Sequence, residues 1–390
     1  MTQVPYCLPA DITPEQFLAE YWQQKPLLIK NGLPALANMF EPADILDLAL
    51  DDNATSRLIT QQPANNGNGD QWTLKTSDIT AQDLQNVPDL WTVLVQNMEQ
   101  WSPELANLWH AFDFIPQWQR DDIMVSYAPK GGSVGKHYDN YDVFLAQGYG
   151  SRHWQLGKFC DENTEFVKGQ PIRLLDDMGE LVLDAVLTPG DVLYVPSNLS
   201  HYGVALDDCL TFSFGCRRPN PLLLLDNLAD IATHTESLAI PLKIAQPLTS
   251  AGEVSQASID DIKRQLIDLL QSPAGDALIH QTVMETVSKR QYDLLLPEEF
   301  MDIDEISDVL ANDAVLRQDL ASRMVYTDNQ LYINGEQVNC DDISANAQRC
   351  LTQLADGASI NKADLEAAGV TLDDVAEWVE NGWVYVDCLD

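Results

Sequence analysis

Residues 126–154 read SYAPKGGSVGKHYDNYDVFLAQGYGSRHW. An apolar run ends at Ala128, the glycine-rich turn PKGGSVG follows at 129–135, and His137 and Asp139 come straight after it. On an extended chain, residues i and i+2 point to the same face. One imidazole and one carboxylate are thereby aimed at a single point. The segments DVFLAQ, GYGS and RHWQLG at 142–157 then read as two short strands around a turn, that is, a hairpin.

The same texture extends outward. DIMVSYA, from Asp122, reads as a strand, and AVLTPGDVLYVP at 185–196 as a strand, a Pro-Gly-Asp turn and another strand. HYGVAL, the pair Asp207-Asp208 and CLTFSFGCR read as a second hairpin. So many short antiparallel strands predict a jelly-roll, or cupin-type, double sheet.

The chain has 6 histidines, at 110, 137, 153, 201, 234 and 280. His201 opens HYGVAL, 201 − 139 = 62 residues beyond Asp139, and is the candidate third ligand. Two imidazoles and one carboxylate form the facial triad of non-haem Fe(II) oxygenases, with positions left for a bidentate 2-oxo acid and dioxygen. Catalytic zinc also uses two His and one carboxylate, so the residue types alone leave the metal open. His-x-Asp by itself is common on surfaces; its place after a glycine-rich turn in a strand-rich region gives it weight here.

Arg152 supplies a permanent cation. A guanidinium can grip a 2-oxo diacid's far carboxylate with two parallel hydrogen bonds, though a solvated strand-end arginine would look the same in sequence. A straight strand over 142–147 spans about 20 Å, so the sheet must curl to bring Arg152 to the metal. His153 faces the opposite way and is read as a non-ligand. Tyr127, Tyr138 and Tyr141 stand near the ligands, as pocket lining or as plain packing.

At 390 residues, two or three domains are expected. PEQFLAEYW and EPADILDLAL near the N-terminus show helical spacing; KPLLIKN and SRLITQQ read as strands, and NNGNGDQ, from Asn65, as a turn. After Arg218, LLLLDNLADIATHTESLAI and SIDDIKRQLIDLLQ read as helices punctuated by Pro241, Pro247 and Pro273. From about 305 the order is helix, short strand, helix, helix, strand, a winged-helix-like arrangement. The expected domains are therefore 1–218, strand-rich with an N-terminal extension, 219–304, helical, and 305–390, winged-helix-like.

Net charge is −38, which repels phosphate backbones and anionic membranes and attracts basic partners. Residues 301–390 carry 4 Lys/Arg against 19 Asp/Glu, a net of 4 − 19 = −15, so the winged-helix-like tail is read as protein-facing or structural and not DNA-binding. No signal-peptide pattern opens the chain and no apolar stretch is long enough to span a membrane. The 7 scattered cysteines suit reduced thiols, and the expected location is the cytoplasm.

On these residues the chain resembles the JmjC-type 2-oxoglutarate oxygenases of the cupin superfamily, and within them the bacterial ribosomal oxygenases. The motifs that carry the likeness are YWQQKPLLIKN, SRLI, the block at 126–154 and LYVPSNLSHYGVAL. The resemblance implies an α+β fold: a double-stranded β-helix (jelly-roll, JmjC) core, a helical dimerisation domain and a C-terminal winged-helix-like domain. It implies His137, Asp139 and His201 as Fe(II) ligands, Arg152 as anchor of the co-substrate 2-oxoglutarate, Ser126 as a second contact to it, and O2 as oxidant. It further implies a homodimer that hydroxylates an arginine of a basic large-subunit ribosomal protein (L-sixteen type). Histidine hydroxylation, lysine demethylation, a non-catalytic cupin-like scaffold and a winged-helix regulator are the alternatives.

Overall fold

A computed structural model describes residues 5–63, 70–235, 238, 241–243, 250–290, 294–297, 300–328, 330–339 and 343–388. The turn expected from Asn65 and the punctuation at Pro247 lie outside the described residues. The chain divides into two compact units, Met1–Arg218 and Pro219–Asp390.

The first unit contains strands β1 (Leu27–Ile29), β2 (Ser56–Gln62), β3 (Gln71–Thr76), β4 (Leu90–Val95), β5 (Arg120–Ala128), β6 (Asp142–Tyr149), β7 (Arg152–Phe159), β8 (Leu183–Leu187), β9 (Val192–Val195), β10 (Leu199–Ala205) and β11 (Cys209–Cys216). Eight of them form one sheet, in the order β1-β9-β6-β11-β5-β4-β2-β3, and three form a second, β10-β7-β8. All the pairings are antiparallel. This is the double-stranded β-helix expected from the sequence.

Strand parity explains the apolar runs. On β6, Phe144 and Ala146 enter the larger core, while Val143 and Leu145 face inward against Trp154, Leu156, Leu187 and Leu199 of the second sheet. On β9, Val192 and Tyr194 take the outer side and Leu193 and Val195 the inner one. Strands buried on both faces read as continuous apolar stretches, not as alternating ones. Helices α1 (Pro14–Glu20), α2 (Pro42–Leu48), α3 (Ala81–Gln85) and α4 (Pro103–Ala106) belong to this unit. Thr13 caps α1 through a capping box, and Phe17 of α1 packs edge-on against Tyr194 at 5.0 Å.

The two expected hairpins are corrected. β6 lies in the eight-stranded sheet and β7 in the three-stranded one, and β10 and β11 divide in the same way. Each short turn is a corner that carries the chain from one sheet to the other. The corners brace each other: Ser151 donates its amide and hydroxyl to the Asp207 carboxylate at 2.6 and 2.9 Å, and the Leu206 amide donates to the Ser151 carbonyl at 3.0 Å. Turn chemistry marks a reversal of direction, but the partner of each strand is decided by which core its faces fill.

In the second unit α5 (Pro221–Thr233), α6 (Gln256–Leu270), α7 (Pro273–Ser288) and α8 (Ile303–Ala311) precede strands β12 (Val315–Gln318), β13 (Met324–Tyr326), β14 (Leu331–Ile333) and β15 (Glu336–Val338). Helices α9 (Ala345–Ala355), α10 (Lys362–Ala368) and α11 (Leu372–Glu380) and strand β16 (Val384–Asp387) follow. β12 pairs with β16, and β13-β14-β15 forms a small sheet. Met284 and Val287 of α7 share a buried cluster with Val325 and Tyr332 of that sheet. The turn Asn334-Gly335 has left-handed backbone at both residues, φ 52° and 93°, as a tight strand reversal demands.

Candidate metal centre

His137 and Asp139 follow the glycine-rich turn on an extended segment, and His201 sits on β10. Their ligand atoms all lie within 4.8 Å of one another. Nε2 of His201 is 3.6 Å and Nε2 of His137 4.0 Å from Oδ2 of Asp139, and the two rings are 4.2 Å apart. Backbone bonds hold the three together: His137 and His201 exchange amide-carbonyl hydrogen bonds at 3.1 and 2.8 Å, and the Asn198 amide donates to the Asp139 carbonyl at 2.7 Å.

Each imidazole is also oriented. Nδ1 of His137 lies 2.9 Å from the Gly135 carbonyl, and Nδ1 of His201 lies 3.0 Å from the Leu199 carbonyl. A carbonyl can only accept, so both Nδ1 atoms carry a proton, and the Nε2 atoms are the ones turned toward Asp139. His201 is 2% exposed; burial, followed by the neighbouring His137, pulls its pKa down to about 4, against the pull of Asp139. A neutral imidazole is the form that binds a metal.

Arg152 and Ser126 meet on the inner face. Arg152 is 3% exposed, and its Nη1 donates to the Ser126 hydroxyl at 3.1 Å. Ser126 donates to the Thr211 carbonyl at 3.4 Å, and Thr211 Oγ1 donates to Gln147 Oε1 at 2.9 Å. Nε and Nη2 of Arg152 are buried with no hydrogen-bond partner. These are the two donors on one edge of the guanidinium, the edge that a carboxylate takes side-on. A buried cation with two unpaired donors is strongly unfavourable by itself. The residues present therefore fit both groups expected from the sequence: a divalent ion on two imidazole Nε2 atoms and a carboxylate, and an anionic co-substrate on Arg152.

Trp154 links the two places. Its ring lies 6.0 Å from that of His201 and 5.8 Å from the Arg152 guanidinium carbon. It rests on Gly203, where a Cβ would come within 2.7 Å of the ring. Nothing in the sequence signals this, because Trp154 reads as an ordinary inward strand residue. His153 points outward to Asp184 at 2.6 Å, as strand parity predicts. Tyr127 packs edge-on against Trp91 in the outer core at 5.4 Å, and Tyr138 stacks on Phe166 at 5.5 Å.

Asp122 is a second residue that the sequence alone does not single out. It stands on the same face of β5 as Ser126, since Ile123, Val125 and Tyr127 fill the outer core. Burial, then Asp121 and Glu99, push its carboxyl from 3.8 to about 7. Its Oδ2 is buried without a hydrogen-bond partner. Tyr141 feels both Asp139 and Asp122, and the Arg217 guanidinium lies 4.7 Å over its ring.

The chain is similar to known proteins over most of its length. A JmjC domain model matches residues 107–223, and a ROXA-like winged-helix model matches residues 264–385. A probable ribosomal oxygenase of Haemophilus influenzae is 46% identical, over 99% of this chain and 99% of its own. The ribosomal protein uL16 3-hydroxylase of Escherichia coli is 29% identical over 83% of this chain and 84% of its own. The structure of the Escherichia coli ribosomal oxygenase YcfD in complex with cobalt and 2-oxoglutarate superimposes with a TM-score of 0.78 at 27% identity, covering 96% of this chain and 98% of that one.

Proposed function

The chain belongs to the ribosomal oxygenase family, and on that premise we propose that it hydroxylates an arginine side chain of a large-subunit ribosomal protein of the uL16 type, using Fe(II), 2-oxoglutarate and O2. The observation that carries this reading is the pairing of a converged His-Asp-His set with a buried arginine edge that has no partner in the protein.

His137, Asp139 and His201 hold the iron, and Arg152 with Ser126 binds the far carboxylate of 2-oxoglutarate. When bound, the iron supplies oxygen chemistry: O2 and 2-oxoglutarate are turned into succinate and carbon dioxide, and one oxygen atom enters a substrate C–H bond. The chain's own residues orient and shield. The Gly135 and Leu199 carbonyls keep both imidazoles in the ligating tautomer. The Thr211–Gln147 pair steadies Ser126 beneath the guanidinium. Trp154 and the inward apolar residues of β6 and β9 keep water from the space between the sheets.

Two features favour a cationic substrate. The net charge of −38 draws in a basic protein. Asp122, whose carboxyl is pushed up to about 7 by burial and by its acidic neighbours, gains a partner when a guanidinium enters. The second unit does not suit DNA: its tail is acidic, and the wing turn is tied inward by a 3.1 Å bond from the Gly335 amide to Ser288 Oγ.

Helices α5 and α6, in the segment 219–304, form the contact of a homodimer, and the winged-helix domain, matched over residues 264–385, begins within that segment. Leu222 (78% exposed) and Leu225 (64%) of α5 and Ile259, Leu266 and Ile267 of α6 supply apolar surface for that contact. No helix among the described residues is long and apolar enough to cross a membrane, and the enzyme works in the cytoplasm, where its substrate is made.

The test is anaerobic reconstitution with Fe(II), then 2-oxoglutarate, air and a uL16 fragment. Succinate and a peptide heavier by about one oxygen, 16 mass units, are expected. A methylene loss would point to demethylation, an oxygen on histidine to the histidyl reaction, and no succinate at all would sink the enzymatic reading.

A further inference from the structure

Between β7 and β8 the chain makes a long excursion, residues 160–182, which the chemistry above does not use. It is not a loose loop. Its ends are tied down: the Cys160 amide donates to the Asn198 carbonyl at 2.7 Å, the Lys158 amide to the Met178 carbonyl at 2.7 Å, and the Val182 amide to the Leu156 carbonyl at 2.8 Å. Its middle folds back on itself through a 2.8 Å bond from the Val167 amide to the Leu174 carbonyl.

The excursion lies across the segment that carries His137. Three contacts fall on nearly consecutive residues. Leu174 is buried against Gly135, where any Cβ would collide with it. Gly135 also holds φ at +84°, a value that disfavours any other residue. The Leu175 amide donates to the Lys136 carbonyl at 2.8 Å, and the Lys136 ammonium returns to the Asp176 carbonyl at 3.0 Å. Phe166 stacks on Tyr138, with ring planes 15° apart, and Arg173 lies 5.7 Å from the Phe166 ring.

The geometry of these contacts has one consequence. Tyr138 separates two candidate ligands and points away from them by strand parity. Its side chain therefore acts as the handle by which the ligand-bearing backbone is held. Gly135 supplies the carbonyl that orients the His137 ring. A shift of Leu174 moves that carbonyl, and a loss of the Phe166 stack frees the peptide on either side of Tyr138.

We propose that residues 166–175 form a strap that sets the position of His137 and Asp139 from behind, with Phe166 and Leu174 as positioning residues for the metal. This rests on the reading of His137, Asp139 and His201 as the metal ligands. Groups that hydrogen-bond to metal ligands typically account for about 10–100-fold in affinity, and here that group is the Gly135 carbonyl, whose residue Leu174 packs against.

The test is Co(II) titration of the metal-free full-length protein, read by the visible d–d band and by affinity. It compares wild type with His137→Ala, Phe166→Ala, Phe166→Tyr and Leu174→Ala, with near-ultraviolet circular dichroism on each. His137→Ala should abolish binding. Phe166→Ala and Leu174→Ala should bind about 10–100-fold more weakly with an altered band, and Phe166→Tyr, which keeps the stack, should bind like wild type. If His137→Ala binds as wild type does, the ligand reading itself fails. If His137→Ala loses the metal while Phe166→Ala and Leu174→Ala bind within about twofold of wild type, the ligands stand and the strap is overturned. Should Phe166→Ala fail to fold, Leu174→Ala and Phe166→Tyr decide the matter by the same criteria.

Discussion

His137 and His201 exchange backbone hydrogen bonds, amide to carbonyl at 3.1 Å and back at 2.8 Å, although 64 positions (201 − 137) separate them in the chain. The two imidazoles are thus brought together by main chain, which survives replacement of either side chain. His201→Ala should therefore keep the rung and the fold while removing one ligand. The expected result is a native circular dichroism spectrum, no retained metal and no succinate. Turnover equal to wild type would show that His201 is not a ligand.

Arg152 offers two unpartnered donors on one edge, Nε and Nη2. Lysine keeps the charge but not the edge. Arg152→Lys should weaken 2-oxoglutarate by about 10–100-fold, the equivalent of a charge-assisted bond worth about 1.5–3 kcal/mol. Iron affinity should change little. Calorimetric titration of 2-oxoglutarate into the metal-loaded protein makes the comparison, and equal affinity would place the co-substrate elsewhere.

Much of this site was legible in sequence. His137 and Asp139 are two apart on an extended segment, and that parity alone aims them together. His201 was found because histidine is scarce. Strand positions were legible too, since SRLITQQ and DVFLAQ carry their own apolar pattern. Pairing was not. Leu145 and Trp154 belong to facing sheets, and nothing between them in the sequence separates a sheet-crossing corner from a hairpin. Trp154 over Gly203, Asp122 near Tyr141 and Phe166 on Tyr138 are contacts between distant segments of unremarkable composition. Each needed the folded chain to appear.

Asp122 gives a pH signature. Its carboxyl is raised from 3.8 to about 7, so the folded state holds a proton that the unfolded state has lost between those values. Stability then falls as pH rises through that window, because the native state is the one that binds more protons. Asp122→Asn should remove this fall, giving a flatter plot of urea midpoint against pH from about 4 to 7. In the wild type, a basic peptide should bind more tightly as pH rises toward 7 and above, since the cation favours the ionised carboxylate. A peptide affinity with the same pH dependence in Asp122→Asn as in wild type would remove Asp122 from substrate recognition.

Leu222 and Leu225 are the most exposed leucines of α5. A charge placed in a buried apolar interface is unfavourable. The double variant Leu222→Asp/Leu225→Asp should run as a monomer in sedimentation velocity where the wild type runs as a dimer. A variant that sediments with wild type would move the subunit contact away from α5.

Gly203 tests how closely the two halves of the site are coupled. It lies directly opposite Trp154 in the β10–β7 register, and a Cβ there would stand 2.7 Å from the indole. The strand cannot retreat easily, because its neighbour on the inner face is His201 two positions away. The ring must then tilt, toward the guanidinium at 5.8 Å or toward the imidazole at 6.0 Å. Overpacking of this kind costs about 1–3 kcal/mol. Gly203→Ala should therefore lower the melting temperature by several degrees and weaken both Co(II) and 2-oxoglutarate, where Arg152→Lys weakens only the second and His201→Ala removes the first. Loss of stability with both affinities intact would mean that the indole is packing alone, with no part in setting the distance between the metal and the anchor.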